Sequence, residues 1–136
     1  MNGLIVDSSV ILDIFQDDPA WGDWSQSMLD WHSVDRLLYI NPVIYTEVSI
    51  GFKRIEELEK AIDACGFKML QIPKEALFLA GKAYLSYRKN KGSRTSVLPD
   101  FYIGAHAAVS KLTILTRDTA RINTYFPKVN IISPPE

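Results

Sequence analysis

Five short apolar runs, alternating with longer stretches at helical spacing, constrain this chain most. Gly3-Leu4-Ile5-Val6, Leu37-Leu38-Tyr39-Ile40, Phe67–Ile72, Leu112-Thr113-Ile114-Leu115 and Val129-Asn130-Ile131-Ile132 read as strands. Continuous apolar runs of this length suit strands covered on both faces. The helical stretches between them supply the crossovers that parallel strands require. The expected fold is α/β: a three-layer α/β/α arrangement around a central, mostly parallel five-stranded sheet. Residues 1–132 are expected to form one domain, with 133–136 a loose tail.

Local signals place the helices. Ser8 or Ser9 is expected to cap a helix through about Gln16, and a second covers about 20–32. Asn41 as cap and Pro42 at the first helical position start a third, running to about Phe52. Ile55 to Ala64 forms a fourth, stopped at Cys65-Gly66. Lys74 to about Arg88, Pro99-Asp100 to Ser110, and a short Asp118–Arg121 segment complete the set.

Charge is polarised. Residues 1–35 carry seven Asp and no Lys or Arg, whereas 36–136 carry fifteen cations against nine acids. Between Glu75 and Asp100 lie Lys82, Arg88, Lys89, Lys91 and Arg94 with no acid among them. Arg88, Lys89, Lys91 and Arg94 are therefore candidates for following a nucleic-acid backbone, or equally a solvated helix end. A single cysteine, Cys65, excludes an internal disulfide framework and a multi-cysteine zinc site. No apolar run approaches a membrane span, and the first cation is Arg36, so no membrane association and a cytoplasmic location are expected.

Ligands of parallel sheets bind beyond the carboxyl ends of the strands. Asp7 directly follows the first strand and Asp118 comes three residues after the fourth, so both belong at that edge. Glu47 lies in the helix after the second strand, and Asp100 in the first turn of the helix after the basic stretch. Each has a plain structural alternative: Asp100 and Asp118 as helix-end acids, Asp7 as a turn acid. Glu47 fits such an account least, because Val43, Ile44, Ile50 and Gly51 surround it with an apolar stripe.

The ordered segments Leu4–Asp13, Asn41–Glu47, Leu98–Ala107 and Leu115–Arg121, followed by Tyr125-Phe126-Pro127, resemble the four motifs of PIN-domain nucleases, the last in its VapC-type toxin form. The resemblance implies that Asp7, Glu47, Asp100 and Asp118 are the acidic site positions. It implies Mg²⁺ or Mn²⁺ bound there, and water-mediated cleavage of RNA leaving a 5′-phosphate and a 3′-hydroxyl. Asp7 and Asp100 would hold the metal directly, Glu47 directly or through water, and Asp118 through water, with Ser9 or Thr116 orienting a carboxylate. A cognate antitoxin and a homodimer are the implied protein partners. Residues 16–35 and 88–96 fall outside the shared motifs.

Other readings stay open. A catalytically silent PIN domain would bind RNA or protein only, and an RNA-processing nuclease would act outside any toxin–antitoxin pair. Phosphotransfer folds with a nucleophilic Asp7 fit less well, since haloacid-dehalogenase-type enzymes need a second Asp where Ser9 stands. His106 follows Asp100 by six residues, about 120° away around a helix, which makes it a poor general base. Trp21, Trp24, Met28 and Trp31 fall on one helical stripe, either core or interface.

Overall fold

The computed structural model describes residues 3–90, 92 and 97–135. Its strands are β1 (Leu4–Val6), β2 (Leu38–Ile40), β3 (Lys68–Met69), β4 (Thr113–Leu115) and β5 (Ile131–Ile132). Between them run α1 (Ser8–Phe15), α2 (Gly22–His32), α3 (Pro42–Ser49), α4 (Ile55–Cys65), α5 (Lys74–Lys89), α6 (Leu98–Ser110) and α7 (Ala120–Tyr125). The sheet order is β3-β2-β1-β4-β5 and every pairing is parallel, one step beyond the mostly parallel sheet expected. All residues of β1 and β4 are buried, so helices cover both faces at the centre.

Strand order reverses between β1 and β4, since the chain moves outward through β2 and β3 and then returns to β1's other side. Such a reversal opens a crevice at the carboxyl ends of the two strands. Val6 pairs with Leu115, and the Asp7 N–H donates to the Leu115 carbonyl at 2.9 Å, so Asp7 and Thr116 leave the sheet side by side.

Several boundaries differ from expectation. β3 and β5 shrink to two residues each, because an edge strand has one partner, and Lys68 and Met69 are exposed. The cap of α1 is Asp7 itself, whose Oδ1 accepts the Ser8 N–H at 2.9 Å, so Ser8 and Ser9 lie inside the helix and their hydroxyls serve other groups. The last helix starts at Ala120, past Asp118, and continues to Tyr125. Asn41 caps α3 through Oδ1, and Gly66 ends α4 at φ 76°, a left-handed position where glycine has no Cβ penalty.

An aromatic cluster sets the pitch of α6. Phe101 is fully buried, with the rings of Tyr84, Tyr87, Tyr125 and Phe126 centred 5.2–6.5 Å away. Gly104 admits this stacking, because a Cβ there would lie 2.4 Å from the Phe126 ring. Asp100, one residue before Phe101, is thereby fixed at the helix start. Among the described residues no helix is long and apolar enough to cross a membrane.

Candidate active site

At the carboxyl end of β1, Asp7 is held by three donors. Its Oδ2 accepts from Ser9 Oγ at 2.9 Å and Thr116 Oγ1 at 2.8 Å, while Oδ1 serves the Ser8 backbone. The surrounding protein nevertheless pushes its carboxyl above the ordinary range: burial outweighs these hydrogen bonds, and the nearby Asp118 charge adds to it. Thr116 also accepts the Asp118 N–H at 3.1 Å, tying the loop after β4 to Asp7.

Glu47 projects from α3 toward the same edge. Ser8 Oγ donates to its Oε1 at 2.9 Å, so the first two serines of α1 orient two different carboxylates. Burial raises the Glu47 carboxyl; the Ser8 hydroxyl opposes that rise and the Asp7 charge reinforces it. The N-cap residue Val97 of α6 makes no side-chain cap, and Asp100 lies in the first turn, where the positive helix end favours an acid. Its carboxyl is pushed up to about 6, by burial first, then by Asp7 and Asp118, with Glu47 adding a smaller push. Arg121 opposes this, with Nη1 3.5 Å from Asp100 Oδ2. Asp118 is exposed, and its Oδ1 accepts the Ala120 N–H at 3.3 Å, so it does act as a local turn acid.

The structure thus puts Asp7, Glu47 and Asp118 each within electrostatic reach of Asp100. Among the described residues, no three His, Cys, Asp or Glu side chains stand close enough to form a ready metal cage. Arg88 and Lys89 end α5, exposed; Lys91 and Arg94 lie outside the described residues.

His106 is 1% exposed and belongs to the scaffold. Asn41 Oδ1 accepts the Ile44 N–H, which turns its Nδ2 toward His106 Nδ1 at 3.1 Å. That ring nitrogen must therefore accept, leaving the imidazole neutral, and burial lowers its proton affinity in the same direction. The tryptophan stripe divides. Trp24 and Met28 pack against the core, Trp21 precedes α2 and meets Trp24 edge-on at 6.1 Å, and Trp31 is 74% exposed.

Sequence reasoning missed a supporting pair. Arg117 binds Asp13 through Nε at 2.8 Å and Nη2 at 3.0 Å, Ser25 Oγ donates to Asp13 at 2.8 Å, and the Arg117 guanidinium lies over Trp21 at 5.2 Å. This pair binds α1, α2 and the loop carrying Asp118 together. Asp13 sits among Ile11, Leu12, Ile14 and Phe15, the same acid-in-an-apolar-stripe signal that singled out Glu47. Arg121, three residues after Asp118, was also missed.

Comparison with known proteins agrees with this architecture. The chain is similar in structure to Rickettsia felis VapBC2 bound to a DNA fragment from their promoter, at a TM-score of 0.74 and 13% identity, covering 97% of this chain and 98% of that one. It is similar to FitAcB from Neisseria gonorrhoeae, at 0.69 and 22%, covering 96% and 97%. A toxin–antitoxin complex from Klebsiella pneumoniae matches at 0.65 and 20%, covering 98% and 99%. A comparison with curated protein sequences finds no match. At such identities the structural likenesses show the fold, and residues 4–127 match the family model described as PIN domain. The chain belongs to the PIN domain family.

Proposed function

We propose that this protein is a divalent-metal-dependent endoribonuclease and the toxin of a toxin–antitoxin pair. The observation that carries the reading is the gathering of carboxylates at the crevice between β1 and β4: Ser9 and Thr116 hold Asp7, Ser8 holds Glu47 beside it, and burial with these neighbouring acids pushes Asp100 up to about 6. Family membership supports nuclease chemistry, and the toxin–antitoxin complex of like fold from Klebsiella pneumoniae supports the toxin assignment.

The donor set fits Mg²⁺ or Mn²⁺, because it offers hard carboxylate oxygens and no thiolate or imidazole. Mg²⁺ keeps several waters and completes its shell with substrate phosphate, so one or two of these carboxylates suffice to hold it directly. Asp7 and Asp100 would hold the cation directly, Glu47 directly or through water, and Asp118 through water. Bound there, the cation would polarise a phosphodiester oxygen and acidify water near neutral pH. Ser9 and Thr116 keep the Asp7 oxygen aimed, and Ser8 does the same for Glu47. Asp118, exposed at the crevice mouth, would accept a hydrogen bond from the attacking water.

Purified protein should cleave single-stranded RNA with Mg²⁺ or Mn²⁺ and stop in chelator, and Asp7→Asn should abolish cleavage while keeping the fold. Undiminished cleavage in Asp7→Asn overturns the reading. Induction in a bacterial host should arrest growth only when the site is intact; equal arrest by Asp7→Asn would remove the toxin assignment.

A further inference from the structure

Two arginines flank Asp118, and the structure treats them differently. Arg117 is engaged by the two-pronged Asp13 pair at 2.8 and 3.0 Å. Arg121 makes one long contact, 3.5 Å to Asp100, and its Nε is buried without a hydrogen-bond partner. Its guanidinium is also placed 5.9 Å from the centre of the Tyr87 ring. A guanidinium carries five N–H donors in a rigid fork matched to planar or tetrahedral oxyanions, and a buried empty donor is unfavourable. This fork stands at the acid cluster, aimed at Asp100, with capacity that Asp100 does not fill.

We infer that Arg121 is an exchangeable group of this site. It neutralises Asp100 while the acids hold no other cation, and it turns to a non-bridging phosphate oxygen of the RNA once a divalent cation takes its place. The inference rests on the nuclease reading above and adds a residue that reading does not contain. Tyr87 lies beside the guanidinium where it meets Asp100, and α7 carries Arg121 directly after the Asp118 loop. No bond is made or broken by Arg121, which contributes hydrogen bonds and charge.

Two variants and two probes test it. With MnCl₂ alone, titration calorimetry should show Arg121→Gln binding at least ~3-fold more tightly than wild type, since a competing cation has gone. With a single-stranded RNA that the wild type cuts, Arg121→Gln should lose ~100-fold in kcat/KM, mostly in kcat. Arg121→Lys should return Mn²⁺ affinity to the wild-type value but leave kcat low, because a point charge lacks the fork. A purely structural ion pair predicts the opposite pattern: Lys restores turnover along with stability. Unchanged Mn²⁺ affinity in Arg121→Gln overturns the exchange, and kcat/KM within ~2-fold of wild type overturns the phosphate contact. Should the wild type cut no RNA, the nuclease reading fails, and the metal titration still decides whether Arg121 competes with the cation.

Discussion

Changing Asp100 to Asn removes one charge from a cluster of four acids, and the consequence can be worked from its surroundings. The Asp100 carboxyl stands at about 6 instead of 3.8, through burial first and then the charges of Asp7 and Asp118. A shift of that size is worth ~3 kcal/mol for a group shielded from water. The Asp100 side chain is 37% exposed, and solvent screening reduces the figure to ~1 kcal/mol. The folded state holds this proton more tightly than the unfolded state does. Its stabilisation is therefore complete below about pH 4 and is lost as pH rises through 6. In chelator, wild type should lose ~1 kcal/mol relative to Asp100→Asn between pH 4 and pH 7, a Tm difference of ~3–4 °C for a chain of this length. Added Mn²⁺ at pH 7 should then raise wild type more than the variant, because ligand binding to the folded state alone stabilises it. Thermal melts at both pH values, with and without Mn²⁺, check this. A gap that does not change with pH, or an equal gain from Mn²⁺, makes Asp100 an ordinary first-turn acid whose loss costs ~0.3–1 kcal/mol at every pH.

Asp13→Ala strands the Arg117 guanidinium and should cost ~3 kcal/mol in urea unfolding; a loss below ~0.5 kcal/mol would mean that the pair does not hold α1 to the Asp118 loop. Trp31→Ser should change stability by less than ~0.5 kcal/mol, whereas Trp24→Ser, packed on the core, should cost ~2–3 kcal/mol. Changing Arg88, Lys89, Lys91 and Arg94 to Gln should flatten the salt dependence of RNA binding by ~0.7 in log–log slope for each phosphate that is no longer neutralised, and an unchanged slope leaves them as a solvated helix end.

Much of the fold is written in local signals. Pro42 after Asn41, and Gly66 after Cys65, mark helix ends that the structure reproduces, because cap chemistry acts within one turn. The central strands are readable because burial on both faces demands unbroken apolar runs. The edge strands β3 and β5 are not, since their length is set by how far a single neighbour extends. At the site, the position of Asp7 and Asp118 at one edge follows from strand order. The partners of each carboxylate do not. Ser8 reaching Glu47, Thr116 reaching Asp7 and Arg117 reaching Asp13 span 39 to 109 residues of sequence, and no local pattern encodes a contact that depends on how α1, α3 and the β4 loop meet. Asp7 also shows that cap and site are not exclusive, for one carboxylate caps α1 and faces the crevice at once.

On the proposed function, these carboxylates would hydrolyse a phosphodiester with a metal and water. The direct measurement is the chemistry of the cut ends. A single-stranded RNA, labelled in separate samples at its 5′ end and its 3′ end and digested with Mn²⁺, should yield upstream fragments bearing a 3′-hydroxyl and downstream fragments bearing a 5′-phosphate, with no product in chelator or from Asp7→Asn. Ends carrying a 2′,3′-cyclic phosphate, formed equally with chelator present, would mean that the ribose hydroxyl attacks without a metal, and the metal-and-water mechanism would be overturned.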